Sequence, residues 1–248
     1  MGSLVSWLPR YNPPLILDHM PEKHMKRLFA FVIVLAAVLG VATLHGAPPE
    51  KPKVVIAVGG KASLYYLPLT IAEQLGFFRD EGLQVEILDF AGGAKALQAM
   101  MGGGADVVSG GFDHVMVMRA RGQNLHGFVL QGATPAISLG VAKERATRYR
   151  SPKDLKGMKI GVSAPGSSTH AFINHLLASA GLAPDDVSII GVGTGPGAVA
   201  AMQAGHLDAI ANIEPTITLL EKTGTIKVVV ETVSVQGAKA VFGSPLPS

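Results

Sequence analysis

The chain has 248 residues, enough for one large or two small domains, and its 48% hydrophobic and 16% charged residues exclude a disordered segment. Residues 1–47 hold four Lys/Arg and two Asp/Glu, leaving 17 against 16 beyond them, so bulk charge gives no basis for nucleic-acid binding. The absence of cysteine excludes disulfides, thiolate metal sites, a cysteine nucleophile and a lipid-modified N-terminal cysteine.

Residues 1–24 are polar and Pro-rich without periodicity and read as an over-extended N-terminus, with Met25 as the start. Met25-Lys26-Arg27, an apolar run from Leu28 to Leu44, and Gly46-Ala47 before two prolines make 25–47 a secretory signal peptide, with an uncleaved anchor as the competing reading. Cutting after Ala42, with Gly40 two places earlier, fits the small-residue rule better than cutting after Ala47, which has His45 there.

Residues 48–142 are expected to form a first α/β lobe. Val54 to Val58 is a β-branched apolar run ended by Gly59-Gly60, as in a buried parallel strand. Pro68 opens a helix whose Ile71 and Leu75, with Phe78 beyond, set an apolar face, and Gly76 closes it. Leu83, Val85 and Ile87 alternate as a strand, and a helix follows Gly92-Gly93. Val107-Val108 is a strand, Val115 to Ala120 a helix, Leu125 to Leu130 a strand, and Ala136 to Ala142 a strand leaving the lobe. Strands alternating with helices predict parallel βαβ units, whose ligands sit outside the carboxyl ends of the strands. That points to the turns at Gly59–Tyr66, Ala91–Ala94, Ser109–Phe112 and Gln131–Thr134.

The charged run 143–150 reads as a solvated inter-lobe connector. In 151–240, a second α/β lobe, Met158 to Val162 is a strand and Ser163 to Thr169 a turn. A helix from about His170 to Ala180 stops at Gly181, Val187 to Val192 is a strand, and Gly193-Thr194-Gly195 is a Gly-rich turn. One pattern occurs in both lobes: Ala99-Met100-x-x-Gly103-x-x-Asp106 and Ala201-Met202-x-x-Gly205-x-x-Asp208, each a helix stopping at a glycine and turning into a strand. Two lobes of this kind imply a cleft between them.

Catalytic signatures are missing. There is no G-x-G-x-x-G, no P-loop, no HExxH and no G-x-S-x-G, and His170 and His175 do not share a helical face well. The histidines read as surface or capping groups. No catalytic residue, metal or cofactor is expected.

The stretch Leu67 to Glu86, with its apolar helix, Gly76-Phe77-Phe78, Glu81-Gly82 and Val85-Glu86, resembles the periplasmic substrate-binding proteins of ABC importers for nitrate, sulfonates, taurine and pyrimidine precursors. Ser151 to Val162 resembles that family's entry to the second lobe, and Met202 to Ile210 its helix-to-strand step. The resemblance implies a fold of the periplasmic-binding-protein type II, two α/β lobes with a hinge and a small solute trapped between them. It further implies delivery to an ABC permease in the inner membrane, a periplasmic location, a monomer, and no nucleic-acid partner. Family members usually continue further, so 241–248 reads as a truncated return segment.

Within that resemblance, the polar head of the ligand is expected on N–H groups near Gly92-Gly93 and Ser167-Ser168-Thr169, the latter being ordinary capping residues otherwise. Tyr65 and Tyr66 are candidates to pack on its body, or are core. Gly111, Phe112 and Thr194 belong to the turns facing the cleft. Glu214 either accepts an N–H from the ligand or is a first-turn acid favoured by the helix dipole. Loops without an Arg favour a singly charged or zwitterionic ligand. An enzyme of the related pyrimidine-synthase type, expected to carry a cysteine-rich motif, and a ligand-sensing module are the alternatives.

Overall fold

The computed structural model describes residues 21–42 and 48–243, the side chains of 34–42 excepted. Most of the expected extension 1–24, the end of the leader at 43–47 and the tail 244–248 lie outside these residues. The chain divides into two units, Met1–Pro48 and Pro49–Ser248. The described part of the first is one helix, α1 (Glu22–Ala42). Among the described residues, no helix is long and apolar enough to cross a membrane.

The second unit contains two sheets. The first lobe runs β1 (Lys53–Val58), α2 (Leu67–Gln74), α3 (Phe77–Asp80), β2 (Gln84–Asp89), α4 (Gly93–Met101), β3 (Val107–Ser109) and α5 (Asp113–Ala120). Its three strands are parallel in the order β2-β1-β3, as the continuous apolar run of β1 requires of a strand covered on both faces. Ile56, Val58 and Tyr66 pack on one side of it, Ala57, Ala96 and Ala105 on the other.

The second lobe runs β4 (Ser138–Ala142), α6 (Lys143–Ala146), β5 (Lys159–Val162), α7 (Ser168–Ser179), β6 (Ser188–Gly191), α8 (Pro196–Gln203), β7 (Ala209–Asn212), α9 (Thr216–Lys222), β8 (Ile226–Glu231) and α10 (Val235–Phe242). Its sheet order is β6-β5-β7-β4-β8. Strand β4 lies antiparallel to both β7 and β8, whereas β5 is parallel to β6 and β7. Leu139, Val141, Ile160, Val162, Ile173 and Leu177 are fully buried in the larger core.

Five expectations change. The first lobe was expected to reach residue 142, but β4 pairs only within the second sheet. For the same reason 143–150 joins two strands of one sheet and is no inter-lobe connector; the passage between sheets is 121–137. Residues 125–130 are not a strand: no ladder forms there, and Phe128, Val129 and Leu130 are exposed. Ile71 and Leu75 also stay exposed, because α2 packs on the sheet through Leu69, on another side of the helix. Val241 and Phe242, expected in a return segment, pack instead on the core of the second lobe.

The repeated pattern has a structural meaning. In the first copy Gly104 N–H donates to Ala99 O (2.8 Å) and Gly103 N–H to Met100 O (3.0 Å). In the second, His206 N–H donates to Ala201 O and Gly205 N–H to Met202 O, both at 3.1 Å. This is a Schellman stop in both lobes, and it needs a left-handed residue at Gly103 and Gly205, with φ 79° and 71°. The aspartate three residues on then brackets the neighbouring strand. Asp106 N–H donates to Val55 O (2.9 Å) while its Oδ2 accepts from Val55 N–H (2.9 Å). Asp208 does the same to Lys159, at 2.8 Å each way. Lys51 pairs with Asp106 and Arg145 with Asp208 (2.8 Å). The pattern therefore sets each lobe's helix-to-strand register and is no part of a ligand site.

Candidate functional site

The carboxyl ends of β1, β3 and β5 turn toward one another, and a cavity of about 420 Å³ lies among them. Gly59, Gly110-Gly111 and Ser163, each directly after its strand, line it. So do the first residues of three helices: Gly93 of α4, Asp113 of α5 and Ser168 of α7. First-turn N–H groups have no partner inside their own helix, so three helix starts present donors to one space. The remaining wall is apolar and aromatic-rich, including Tyr65, Phe112, Ile137, Phe172, Ile213 and Phe242. Among the described residues, no Lys or Arg lines the cavity.

The lobes meet along this site. Ala94 N–H, a first-turn donor of α4, is accepted by Ser167 Oγ across the cleft at 2.9 Å. The Ser168 hydroxyl donates to Asp113 Oδ1 at 2.6 Å. Leu64 N–H donates to Glu214 O at 3.0 Å. Glycine makes the approach possible. A Cβ on Gly92 would stand 3.0 Å from the Ala164 methyl and 3.1 Å from the Ser163 carbonyl carbon, and one on Gly60 would overlap the Thr194 hydroxyl.

Nine of the residues singled out in the sequence line the cavity: Tyr65, Tyr66, Gly93, Gly111, Phe112, Ser167, Ser168, Thr169 and Thr194. The hydroxyls of Tyr66, Ser167, Ser168 and Thr169 are engaged with protein. Ser167 does not cap its own helix but serves α4 in the other lobe. Thr169 Oγ1 accepts from Ser163 N–H (3.0 Å) and hydrogen-bonds the Ser163 hydroxyl (2.8 Å). Thr194 is held by its carbonyl, which accepts from the Thr216 hydroxyl at 2.6 Å. Tyr66 Oη accepts from Gly59 N–H (3.0 Å), and burial pushes its hydroxyl pKa well above the ordinary value. Tyr65 meets Tyr66 edge to face, with ring centroids 5.0 Å apart.

Two of the expected residues stand outside the lining. Gly92 is the point of inter-lobe contact just described. The Glu214 carboxylate accepts from Thr218 N–H (3.0 Å), four residues along in α9, so it satisfies a helix-start donor. His170 is a capping group, its Nδ1 accepting from Gly166 N–H at 3.0 Å, and burial lowers its pKa.

The sequence reading missed Asp113 and His114. Both sit in the cavity wall, separated from Gly110-Gly111 by Phe112, and a polar pair opening a helix behind a Gly-Gly turn was the available signal.

The NMT1/THI5-like family model matches residues 63–237. The structure of a Bordetella bronchiseptica RB50 protein is 55% identical, with a TM-score of 0.77, over 80% of this chain and 62% of that one. The alkanesulfonate-binding protein SsuA from Xanthomonas axonopodis pv. citri, bound to MOPS, is 24% identical with a TM-score of 0.61 over 78% of this chain and 64% of its own, a likeness of fold. A putative binding protein, YtlA of Bacillus subtilis, is 35% identical over 60 residues, 24% of this chain and 18% of that protein. The chain thus spans less than two thirds of the length of each of these relatives.

Proposed function

Because the chain belongs to the NMT1/THI5-like family, we propose that it is the solute-binding component of an ABC import system, capturing a small organic solute between its two lobes. The observation that carries this reading is the cavity itself. It lies beyond the carboxyl ends of strands from both sheets, where open α/β folds bind ligands, and its volume of about 420 Å³ suits a small molecule. Direct contacts between the lobes give closure a physical basis: a solute touching both walls stabilises the joined arrangement over a separated one. The fold neighbour named for alkanesulfonate binding supports a solute with a polar or singly charged anionic head. Aromatic and aliphatic walls support an apolar body behind that head.

On this reading the protein works in the periplasm as a monomer and hands its cargo to a permease in the inner membrane. It holds the solute and does not transform it.

The test is a melting-shift screen of the purified chain with sulfonates, taurine, nitrate and pyrimidines, followed by recovery of the ligand. A binder raises Tm in proportion to the logarithm of ligand concentration above Kd, and the compound is recovered unchanged. Recovery of a converted product would replace this reading with an enzymatic one.

A further inference from the structure

His114 is a buried polar side chain of the cavity wall that the hydrogen bonds among the described residues leave out. It is 4% exposed, and both ring nitrogens are shut off from solvent without a hydrogen-bond partner among the described residues. Its nearest carboxylate oxygen, Asp113 Oδ2, is 3.9 Å from Nε2, beyond hydrogen-bond length. The other oxygen of that carboxylate is taken by the Ser168 hydroxyl. The ring lies between two glycines: a Cβ on Gly93 would sit 3.1 Å from its Cε1, and one on Gly110 3.5 Å from its Nδ1. These glycines leave the imidazole in the cavity wall, at the end where the three helix starts converge. Buried polar groups in native proteins are paired almost without exception, so an unpaired imidazole in a cavity wall marks a partner that enters from outside.

The rest of the cavity limits that partner. Without a lysine or arginine among the described residues of the wall, and with the Asp113 carboxylate nearby, a dianion would meet repulsion without a counter-charge. A single oxyanion can rest on first-turn N–H groups and an imidazole N–H. Away from this end, Tyr65, Phe112, Phe172 and Phe242 offer aromatic edges and faces to a ring. Resting on the solute-capture reading, we propose that His114 reads the head group of an aromatic monoanion, an aryl carboxylate or aryl sulfonate, by a hydrogen bond made when the ring, whose nitrogens are closed off by the surrounding protein, turns toward the solute.

The experiment titrates the full chain, as wild type, His114→Leu and His114→Gln, with benzoate, benzenesulfonate, hexanesulfonate, taurine and nitrate, following heat and Tm. Benzoate or benzenesulfonate is expected to bind at least tenfold more tightly than the other three. His114→Leu is expected to weaken that binding roughly tenfold, and His114→Gln, which keeps a donor, to recover most of it. The unliganded His114→Leu variant is expected to melt at or above the wild-type temperature, because it removes an unpaired buried polar group. Equal affinity in wild type and His114→Leu would overturn the role of His114. A fall in unliganded Tm with the same affinity loss in Leu and Gln variants would make the ring a packing element. Tighter binding of hexanesulfonate, taurine or nitrate would overturn the aromatic class alone. Binding of none of the five would overturn the capture reading together with this one.

Discussion

The Asp113 carboxylate accepts a 2.6 Å hydrogen bond from the Ser168 hydroxyl, tying the start of α5 in one lobe to the start of α7 in the other. A charged acceptor makes this among the stronger contacts across the cleft, but the carboxylate is 24% exposed and water competes for it. Losing it should cost the joined arrangement about 1 kcal/mol. Ser168→Ala is therefore expected to weaken ligand binding roughly fivefold while leaving Tm within a degree or two. Ser168→Pro removes the hydroxyl and a first-turn N–H together, at a helix position that tolerates proline, and is expected to weaken binding further without unfolding the chain. Titration and circular dichroism check both, and unchanged affinity in the proline variant would remove α7 from the site.

Gly111 tests the same contact from the side of packing. A Cβ there would overlap Asp113 Oδ1 and stand 2.5 Å from Ser168 Oγ. Gly111→Ala should force the pair apart at a cost of about 1–3 kcal/mol. The expected readout is a larger radius of gyration by small-angle scattering and weaker binding. Gly181→Ala is the control: its Cβ would meet nothing within 4 Å, so its only penalty is a left-handed φ of 73°, and the scattering curve should not change.

The sequence revealed more of the fold than of the site, and the reason lies in which contacts are local. The Schellman stops at Gly103 and Gly205 and the strand at Val54–Val58 were readable because each is specified by neighbours in the chain. The position of β4 was not, because pairing with β7 and β8 is decided by residues about 70 and 90 positions away. Ser167 shows the same limit at the site. A serine before a helix reads as a cap, and only the folded chain reveals that its oxygen serves Ala94, 73 residues earlier. His114 escaped because a histidine's burial, unlike its identity, is not written locally.

The repeat aspartates lead to a prediction about acid. Asp106 is held below the usual carboxylate range by Lys51 and by the Val55 N–H. Backbone N–H groups do the same for Asp154 and Asp186, and Ser234 for Glu231. A carboxyl whose pKa is lower in the folded chain contributes stability that is fully present above its unfolded value, near 4, and is lost as pH falls through the folded value. Tm should therefore hold between pH 5 and 7 and fall increasingly below about pH 4. Asp106→Ala is expected to lower Tm at pH 7 by about 2–4 °C. The gap to wild type should narrow as pH drops, since acid removes the same interaction from both. A gap that stays constant down to pH 3 would mean that Asp106 acts by shape alone.

Leu177 gives the corresponding test of where the core resides. It is fully buried on α7 among Leu139, Ile160, Phe172 and Ile173, in the lobe with five strands. Truncation there removes apolar contact and leaves a void that a close-packed sheet-and-helix interior fills poorly, so Leu177→Ala should cost about 2–5 kcal/mol in urea unfolding. Ile71→Ala, on the exposed face of α2, should cost under about 1 kcal/mol, although the periodicity of that helix marks Ile71 as core. Both variants change a large aliphatic residue to alanine, so the difference between them measures burial directly. Equal losses would mean that in solution the face of α2 is covered and the first lobe holds a larger core than its three strands provide.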